Sequence, residues 1–326
     1  MQAIVLVGGK GTRLRPLTET VPKPALTLVD RPFLAYMIEW LAEHGVEDVI
    51  LACGFLPDVL REALAGEEER AGVRIRYVAE PEPLGTAGAI RFAAEQAGDL
   101  GETFLALNGD VLTDLDLTAL MAVHREREAR ATIGLQPVED SSAYGVVRTA
   151  ADGEVLDFLE KTGEAAPGEI NAGMYVLERT VLDLIPPGRA VSIEREVFPR
   201  LAGEGLHGLR LDGYWMDIGT PERYLQASWD ILERRVETRV QPTAPGLLVS
   251  AAAEVAEGAA VGPRAVVGPG CRVGAGARLS ESVLLEGASV GEGARVERSI
   301  LSPGAVVAAH ADVRSAVAGF GERVPA

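Results

Sequence analysis

The chain has 326 residues, 47% of them hydrophobic, enough to bury a large core and to form two domains. A net charge of −17 argues against a nucleic-acid partner, although a local cluster of cations in a cleft can still hold a nucleotide. No apolar run reaches the roughly 18 residues of a membrane span, no secretory signal pattern opens the chain, and Cys53 and Cys271 read as unpaired thiols. A cytoplasmic protein without membrane attachment is therefore expected.

The apolar run Ala3 to Val7 reads as a buried first strand, and Gly8-Gly9-Lys10-Gly11-Thr12-Arg13 and Pro22-Lys23-Pro24 follow it. A strand, a glycine turn and several cations in sequence suggest a cradle for phosphates. The spacing excludes two common versions: Gly8 is followed five residues later by Arg13, unlike a Walker loop, and a dinucleotide fingerprint from Gly9 fails at Leu14. The chain then predicts a helix from about Pro32 to His44, a strand over Val49–Ala52, a helix over Pro57–Leu64 and a strand over Val73–Val78. A helix over Thr86–Ala97, a strand over Thr103–Leu107 and a helix over Leu117–Glu128 complete the alternation. Such alternation gives right-handed crossovers in an α/β, Rossmann-like, mainly parallel sheet, with ligands at the carboxyl ends of its strands. Residues 136–220 read as an inserted β-rich subregion, and a helix from about Pro221 to Val236 closes the first domain, 1–236.

Residues 237–247 read as a linker, and 248–326 as a second domain with a six-residue period. Val255, Val261, Val267, Val273 and Leu279 stand six apart; after a slip the pattern resumes at Leu284 or Leu285 with Val290 and Val296. Hexads with small residues after the aliphatic one fit a parallel β-helix of about four coils, with Gly262, Gly268 and Gly274 suited to corners of positive φ.

Lysine usage gives an independent signal. The 31 basic residues include only three lysines, Lys10, Lys23 and Lys161. Lysines retained in so arginine-rich a chain are expected where a compact ammonium is needed and a planar fork does not fit. No histidine lies inside a motif, so no general base is evident.

The opening motif resembles that of the sugar-phosphate nucleotidylyltransferases (sugar pyrophosphorylases), and later segments resemble that family in order along the whole chain. Pro83-Leu84-Gly85-Thr86-Ala87-Gly88, Asn108-Gly109-Asp110, Tyr144-Gly145, Glu160-Lys161, Asn171-Ala172-Gly173 and Trp215-Met216-Asp217 carry the likeness. Ser192 to Pro199 and Ile170 to Tyr175 look most like the mannose-1-phosphate guanylyltransferases, while related thymidylyl-, uridylyl- and adenylyltransferases share most motifs. The resemblance implies transfer of a nucleoside monophosphate from a nucleoside triphosphate to a sugar 1-phosphate, with release of pyrophosphate. It implies nucleotide binding by Leu6, Gly8, Gly9, Gly11, Thr12, Arg13, Pro83, Gly85, Thr86, Gly88, Asn108 and Gly109. Sugar-phosphate binding falls to Tyr144, Gly145, Glu160, Lys161, Asn171 and Gly173, and catalysis to Arg13, Lys23, Asp110 and Lys161. Asp110 and Asp217 would hold Mg²⁺, which takes one or two carboxylates plus phosphate oxygens. The family's usual proline after Glu-Lys is Thr162 here, which loosens the expected placement of Lys161.

Glu80 and Glu82, just before the glycine loop, are candidates for reading the base, because a carboxylate accepts both edge donors of guanine. GTP is accordingly expected over UTP or dTTP. The tail resembles known hexapeptide-repeat proteins, and that resemblance implies a left-handed β-helix; a homo-oligomer is also expected. A catalytically silent nucleotide-sugar binder is disfavoured because both acids and Lys23 are kept, and an acyl-transferring tail because only His310 stands near its end.

Overall fold

The computed structural model describes residues 1–142, 144–159 and 165–326. It divides into two compact units, one of residues 1–9 and 37–215, the other of residues 10–36 and 216–326.

The first unit is built on a nine-stranded sheet. Strands β1 (Gln2–Leu6), β2 (Asp48–Cys53), β3 (Arg74–Ala79) and β4 (Thr103–Asn108) run parallel in the order β4-β1-β2-β3. Beyond β4 the sheet becomes mixed, joined to β4 by an antiparallel strand and mostly antiparallel after it, although Leu206–Arg210 pairs parallel with Ala131–Val138. Of β5 (Ala131–Val138), β6 (Val146–Thr149), β7 (Val155–Leu159), β8 (Gly168–Glu178) and β9 (Leu206–Arg210), β8 pairs antiparallel with β4, and β5 and β6 pair with β8. The segment expected as a separate insertion thus extends the same sheet. The eleven residues of β8 are long enough to border three strands at once, which no local pattern announces.

Helix α1 (Phe33–Glu43), α2 (Pro57–Ala63), α3 (Gly85–Ala97) and α4 (Leu117–Glu126) fall within a few residues of their expected spans. Helix α3 buries Ala87, Ala89, Ile90, Ala93 and Ala94 in one core with Ile4, Ile50, Ala52 and Phe104. Its inner face is mostly alanine, and small side chains let a helix backbone approach a sheet closely. A five-residue helix, Glu67–Ala71, arises from a charged run with no apolar period to announce it.

In the second unit, three stacks of five, five and four short strands make a parallel β-helix from Leu247 to Val324. The first step between coils is 18 residues, Leu247 facing Ala265. Every later step is 17, as in Val283 facing Ile300 and Ile300 facing Val317. The slip seen after Leu279 is therefore one residue lost from every subsequent coil. Ladders such as Val273-Val290-Val307 and Leu279-Val296-Val313 fill the interior.

One expectation about the corners is corrected. Positive φ belongs to Gly262 but not to Gly268 or Gly274. Those two are small because the next coil passes over them: a Cβ at Gly274 would stand 2.7 Å from the Glu292 amide nitrogen. One ladder of left-handed corners runs through Gly258, Gly276, Gly293 and His310, whose φ is 61°.

Helix α5 (Pro221–Leu232) also belongs to this unit. Thr220 caps it, its hydroxyl accepting from the Arg223 amide. Arg264 of the β-helix lies over the Trp229 ring and pairs with Glu233 at 2.6 Å, which joins α5 to the first coil. Among the described residues no helix is long and apolar enough to cross a membrane.

Candidate active site

In the first unit, the carboxyl ends of β1, β2 and β4 bring three of the predicted segments together. Leu6 ends β1 and its carbonyl accepts from the Gly109 amide at 2.9 Å. A Cβ at Gly109 would meet Val7 Cγ1 at 2.6 Å and the Leu6 carbonyl oxygen at 2.8 Å, so only glycine lets the Asn108-Gly109-Asp110 turn close against the first strand. The turn holds Asp110, half-buried, just beyond the end of β4. On the other side of β1, the Cβ space of Gly8 lies 3.1 Å from Glu80 Oε1 and is bordered by Gly54. Gly9 has open space around it.

Glu80 is the acid that borders the glycine loop, and its Oε2 accepts from the Leu84 amide at 3.1 Å. Burial pushes its carboxyl above the usual range, against the opposing effect of that amide. Glu82 and Pro83 are exposed. Cys53, at the end of β2, has its thiol pushed up to about 12 by burial, which makes it an inert group.

The glycines of the Pro83–Gly88 loop pack closely on another segment of the same unit. A Cβ at Gly85 would fall 2.7 Å from the Val191 carbonyl oxygen, and one at Gly88 2.8 Å from that of Arg189. The Ala87 and Gly88 amides both donate to the Val191 carbonyl. Thr86 donates to Glu194 Oε2 at 3.2 Å and accepts from the Ile193 amide at 2.7 Å. The loop is thereby tied to residues 189–194.

The predicted sugar side lies across β8. Gly173 has a φ of 73°, and a Cβ there would be 2.6 Å from Asn108 Nδ2, so this turn packs on the Asn-Gly-Asp corner. Asn171 Oδ1 accepts from the Gly173 amide at 2.9 Å, and its Nδ2 donates to the Tyr175 hydroxyl at 2.9 Å. Tyr175 is wholly buried, and burial followed by the charge of Glu194 holds its phenol well above the ordinary range. Tyr144 meets Trp215 edge to face at 5.8 Å, and Trp215 Nε1 donates to the Ala172 carbonyl at 2.9 Å. Gly145 leads into β6. Trp215 was within a recognised motif but unassigned, and its aromatic partnership with Tyr144 could not be seen from one dimension. Glu160, Lys161 and Thr162 lie outside the described residues.

In the second unit, a compact charge cluster gathers Arg13, Lys23 and Asp217. Lys23 Nζ stands 3.3 Å from Asp217 Oδ1, a contact spanning 194 residues of chain, and Lys23 is only 7% exposed. Arg223 reaches Asp217 Oδ2 at 3.6 Å and donates to the Asp217 carbonyl at 3.2 Å. Gly219 leaves space that Arg13 occupies, its Nη2 lying 2.9 Å from where a Cβ would be. Gly11, at φ 58°, sets the loop: Thr18 Oγ1 donates to its carbonyl, and a Cβ would press on Thr18 and Lys23. Thr12 and Arg13 are exposed at its start. Arg223 went unread because an arginine in a helix's first turn looks like solvent-facing decoration. With Thr220 as the cap, the carboxylate of Asp217 does not serve α5 in that way.

The chain was compared with known proteins. Residues 2–234 match the family described as Nucleotidyl transferase, and residues 243–325 match one described as GMPPB C-terminal domain. A mannose-1-phosphate guanylyltransferase of Mycobacterium tuberculosis is 46% identical over 236 residues, covering 71% of this chain and 65% of that protein. A mannose-1-phosphate guanylyltransferase catalytic subunit beta of Danio rerio is 42% identical over 227 residues, covering 69% of this chain and 63% of that protein. The matched region thus spans less than two thirds of either relative's length. A crystal structure of HddC from Yersinia pseudotuberculosis aligns with a TM-score of 0.61 at 28% identity, covering 71% of this chain and 99% of that one. A second crystal structure of HddC is a complex with GMP-PN.

Proposed function

This chain belongs to the nucleotidyl transferase family, and from that premise we propose that it makes a nucleotide sugar, with GTP and mannose 1-phosphate as substrates and GDP-mannose and pyrophosphate as products. The observation that carries this reading is the meeting, in one unit, of Asp217 with Lys23, 194 residues earlier in the chain, beside Arg13. The guanylyltransferase names of the relatives and the GMP-PN complex of HddC support the choice of guanine.

A phosphate oxygen of the sugar 1-phosphate attacks the α-phosphorus of the triphosphate. The bond from that phosphorus to the β-phosphate's bridging oxygen breaks, and pyrophosphate leaves. The attacking monoester is already ionised near neutral pH, so no base is required. Catalysis rests on alignment and charge neutralisation. Arg13 grips the leaving phosphates, Lys23 turns from Asp217 to the α-phosphate, and Lys161 holds the attacking phosphate. The backbone of Gly8, Gly9 and Gly11 with Thr12 accompanies the phosphates, Leu6 with Asn108 and Gly109 borders the nucleoside, and Tyr144, Gly145, Glu160, Asn171 and Gly173 border the sugar. Asp110 and Asp217 are hard oxygen donors, half-buried, and suit a divalent ion. They would hold Mg²⁺, which supplies charge neutralisation to the phosphates.

Base choice is assigned to Glu80, with Glu82 second, because Glu80 borders the Gly8 loop. Its carboxylate accepts N1–H and the 2-amino group of guanine, whereas uracil and thymine offer a single N–H between two acceptors. A mismatched edge leaves buried groups unpaired, which discriminates by powers of ten. Glu80→Gln should therefore cut the GTP-over-UTP ratio of kcat/KM by about tenfold or more. Because burial raises the Glu80 carboxyl, the preference should fade on acidification sooner than an ordinary glutamate would allow. An unchanged ratio in the variant would remove Glu80 from base reading.

The β-helix is assigned to self-association in a cytoplasmic homo-oligomer. Stacked coils bury their aliphatic ladders internally and leave their outer faces for a neighbouring subunit. A monomeric mass by light scattering at micromolar concentration would refute this part.

A further inference from the structure

We propose that Glu194 is a positioning residue that sets the polarity of one hydrogen-bond chain running from the nucleotide-side loop to the sugar-side turn. The proposal rests on the nucleotidyl-transfer reading above and concerns a residue to which that reading gives no role.

The Glu194 carboxylate receives three hydroxyl donors. Ser192 Oγ reaches Oε2 at 2.8 Å, Thr86 Oγ1 reaches the same oxygen at 3.2 Å, and the Tyr175 hydroxyl reaches Oε1 at 3.4 Å. An ionised carboxylate only accepts, so each hydroxyl must turn its proton toward Glu194. The consequences run outward in two directions. Thr86, having donated, presents its lone pairs to the Ile193 amide, which fixes the first turn of α3 against residues 191–194. Tyr175, having donated, must accept, and it accepts from Asn171 Nδ2 at 2.9 Å. That turns Asn171 Oδ1 toward the Gly173 amide and leaves the second N–H of Nδ2 as a donor of fixed direction. A sugar hydroxyl oxygen is the acceptor that suits it.

The chain is buried where it matters, since Tyr175 has no solvent exposure and water cannot substitute for its partners. Asp110 also bears on this phenol, its charge raising the Tyr175 pKa after burial and Glu194, so the network lies within electrostatic reach of a proposed metal acid. A neutral glutamine at position 194 would offer one acceptor and two competing donors in place of two acceptor oxygens. The chain would lose its single sense, and Asn171 and Thr86 would each be free to reverse.

The test is steady-state kinetics of Glu194→Gln and Tyr175→Phe, alone and combined, with both substrates varied. Glu194→Gln should raise the KM of both substrates and lower kcat/KM for the sugar phosphate about tenfold or more, with a melting temperature near that of the parent. Tyr175→Phe should affect the sugar phosphate alone. The double variant should lose much less than the product of the two single losses, because both cut one chain. Multiplicative losses, or a Glu194→Gln enzyme with parental KM values, would overturn the proposal. If Glu194→Gln does not fold, Tyr175→Phe with an unchanged sugar-phosphate KM overturns it. Calorimetric titration with mannose 1-phosphate reads the same positions without turnover. A parent protein that binds the sugar phosphate but transfers nothing refutes the transfer reading and leaves Glu194 to be judged by binding.

Discussion

Replacing Lys23 by alanine is expected to lower turnover by about two to three powers of ten while the protein stays folded. Lys23 is buried to 7% exposure, yet its ammonium faces Asp217 rather than a core. Removing it leaves Asp217 with Arg223, so the carboxylate is not stranded and folding should survive. What is lost is a positive charge held ready for a transferring phosphate, in a position set by Gly11 and Thr18. Lys23→Arg should fail nearly as badly. Lys23 Nζ stands 3.3 Å from a carboxylate that Arg223 also reaches, and a planar guanidinium needs more room there than an ammonium. Pyrophosphate release and a thermal melt on both variants check this. Near-parental turnover in Lys23→Ala would take the residue out of the mechanism.

Asp110→Asn and Asp217→Asn are expected to have effects at least as large, about a thousandfold each, and to abolish the dependence on added Mg²⁺. The two acids differ in what else they do. Asp217 also balances Lys23 and Arg223, so its loss leaves two cations with an amide in place of a carboxylate. Asp110 sits on a turn that Gly109 closes against the first strand. Asp110→Asn should therefore melt close to the parent, while Asp217→Asn should melt lower. A variant that retains both its rate and its metal dependence would show that the acid is a counter-ion only.

Much of this architecture was legible in the sequence, because strong local signals and the tertiary structure agree. The 3.6-residue apolar period of α1, the Gly-Thr opening of α3 and the Thr-Pro start of α5 each state their element without help. The hexads of the tail also carried their register, including the lost residue, since each coil repeats the same packing demand. What stayed hidden depends on neighbours remote in sequence. The antiparallel attachment of β8 to β4 follows from strand length and pairing partners, not from any residue in β8 itself. Gly268 and Gly274 look like corner glycines by position but are required by the coil above them. The packing of Gly85 and Gly88 on Arg189 and Val191 joins segments about a hundred residues apart and leaves no local sign. Arg223 and Glu194 carry no role in the sequence alone, because an arginine and a glutamate in the first turn of a helical segment look like surface residues until their partners are known.

The central claim is nucleotidyl transfer to a sugar 1-phosphate with guanine preferred. It is tested most directly by measuring pyrophosphate release over GTP, ATP, UTP and dTTP, each paired with mannose 1-phosphate and glucose 1-phosphate, with and without Mg²⁺. The account predicts the fastest release with GTP and mannose 1-phosphate, dependent on Mg²⁺ and matched by GDP-mannose formation. Release fastest with UTP or dTTP would contradict the base assignment, and no release with any pair would contradict the transfer itself.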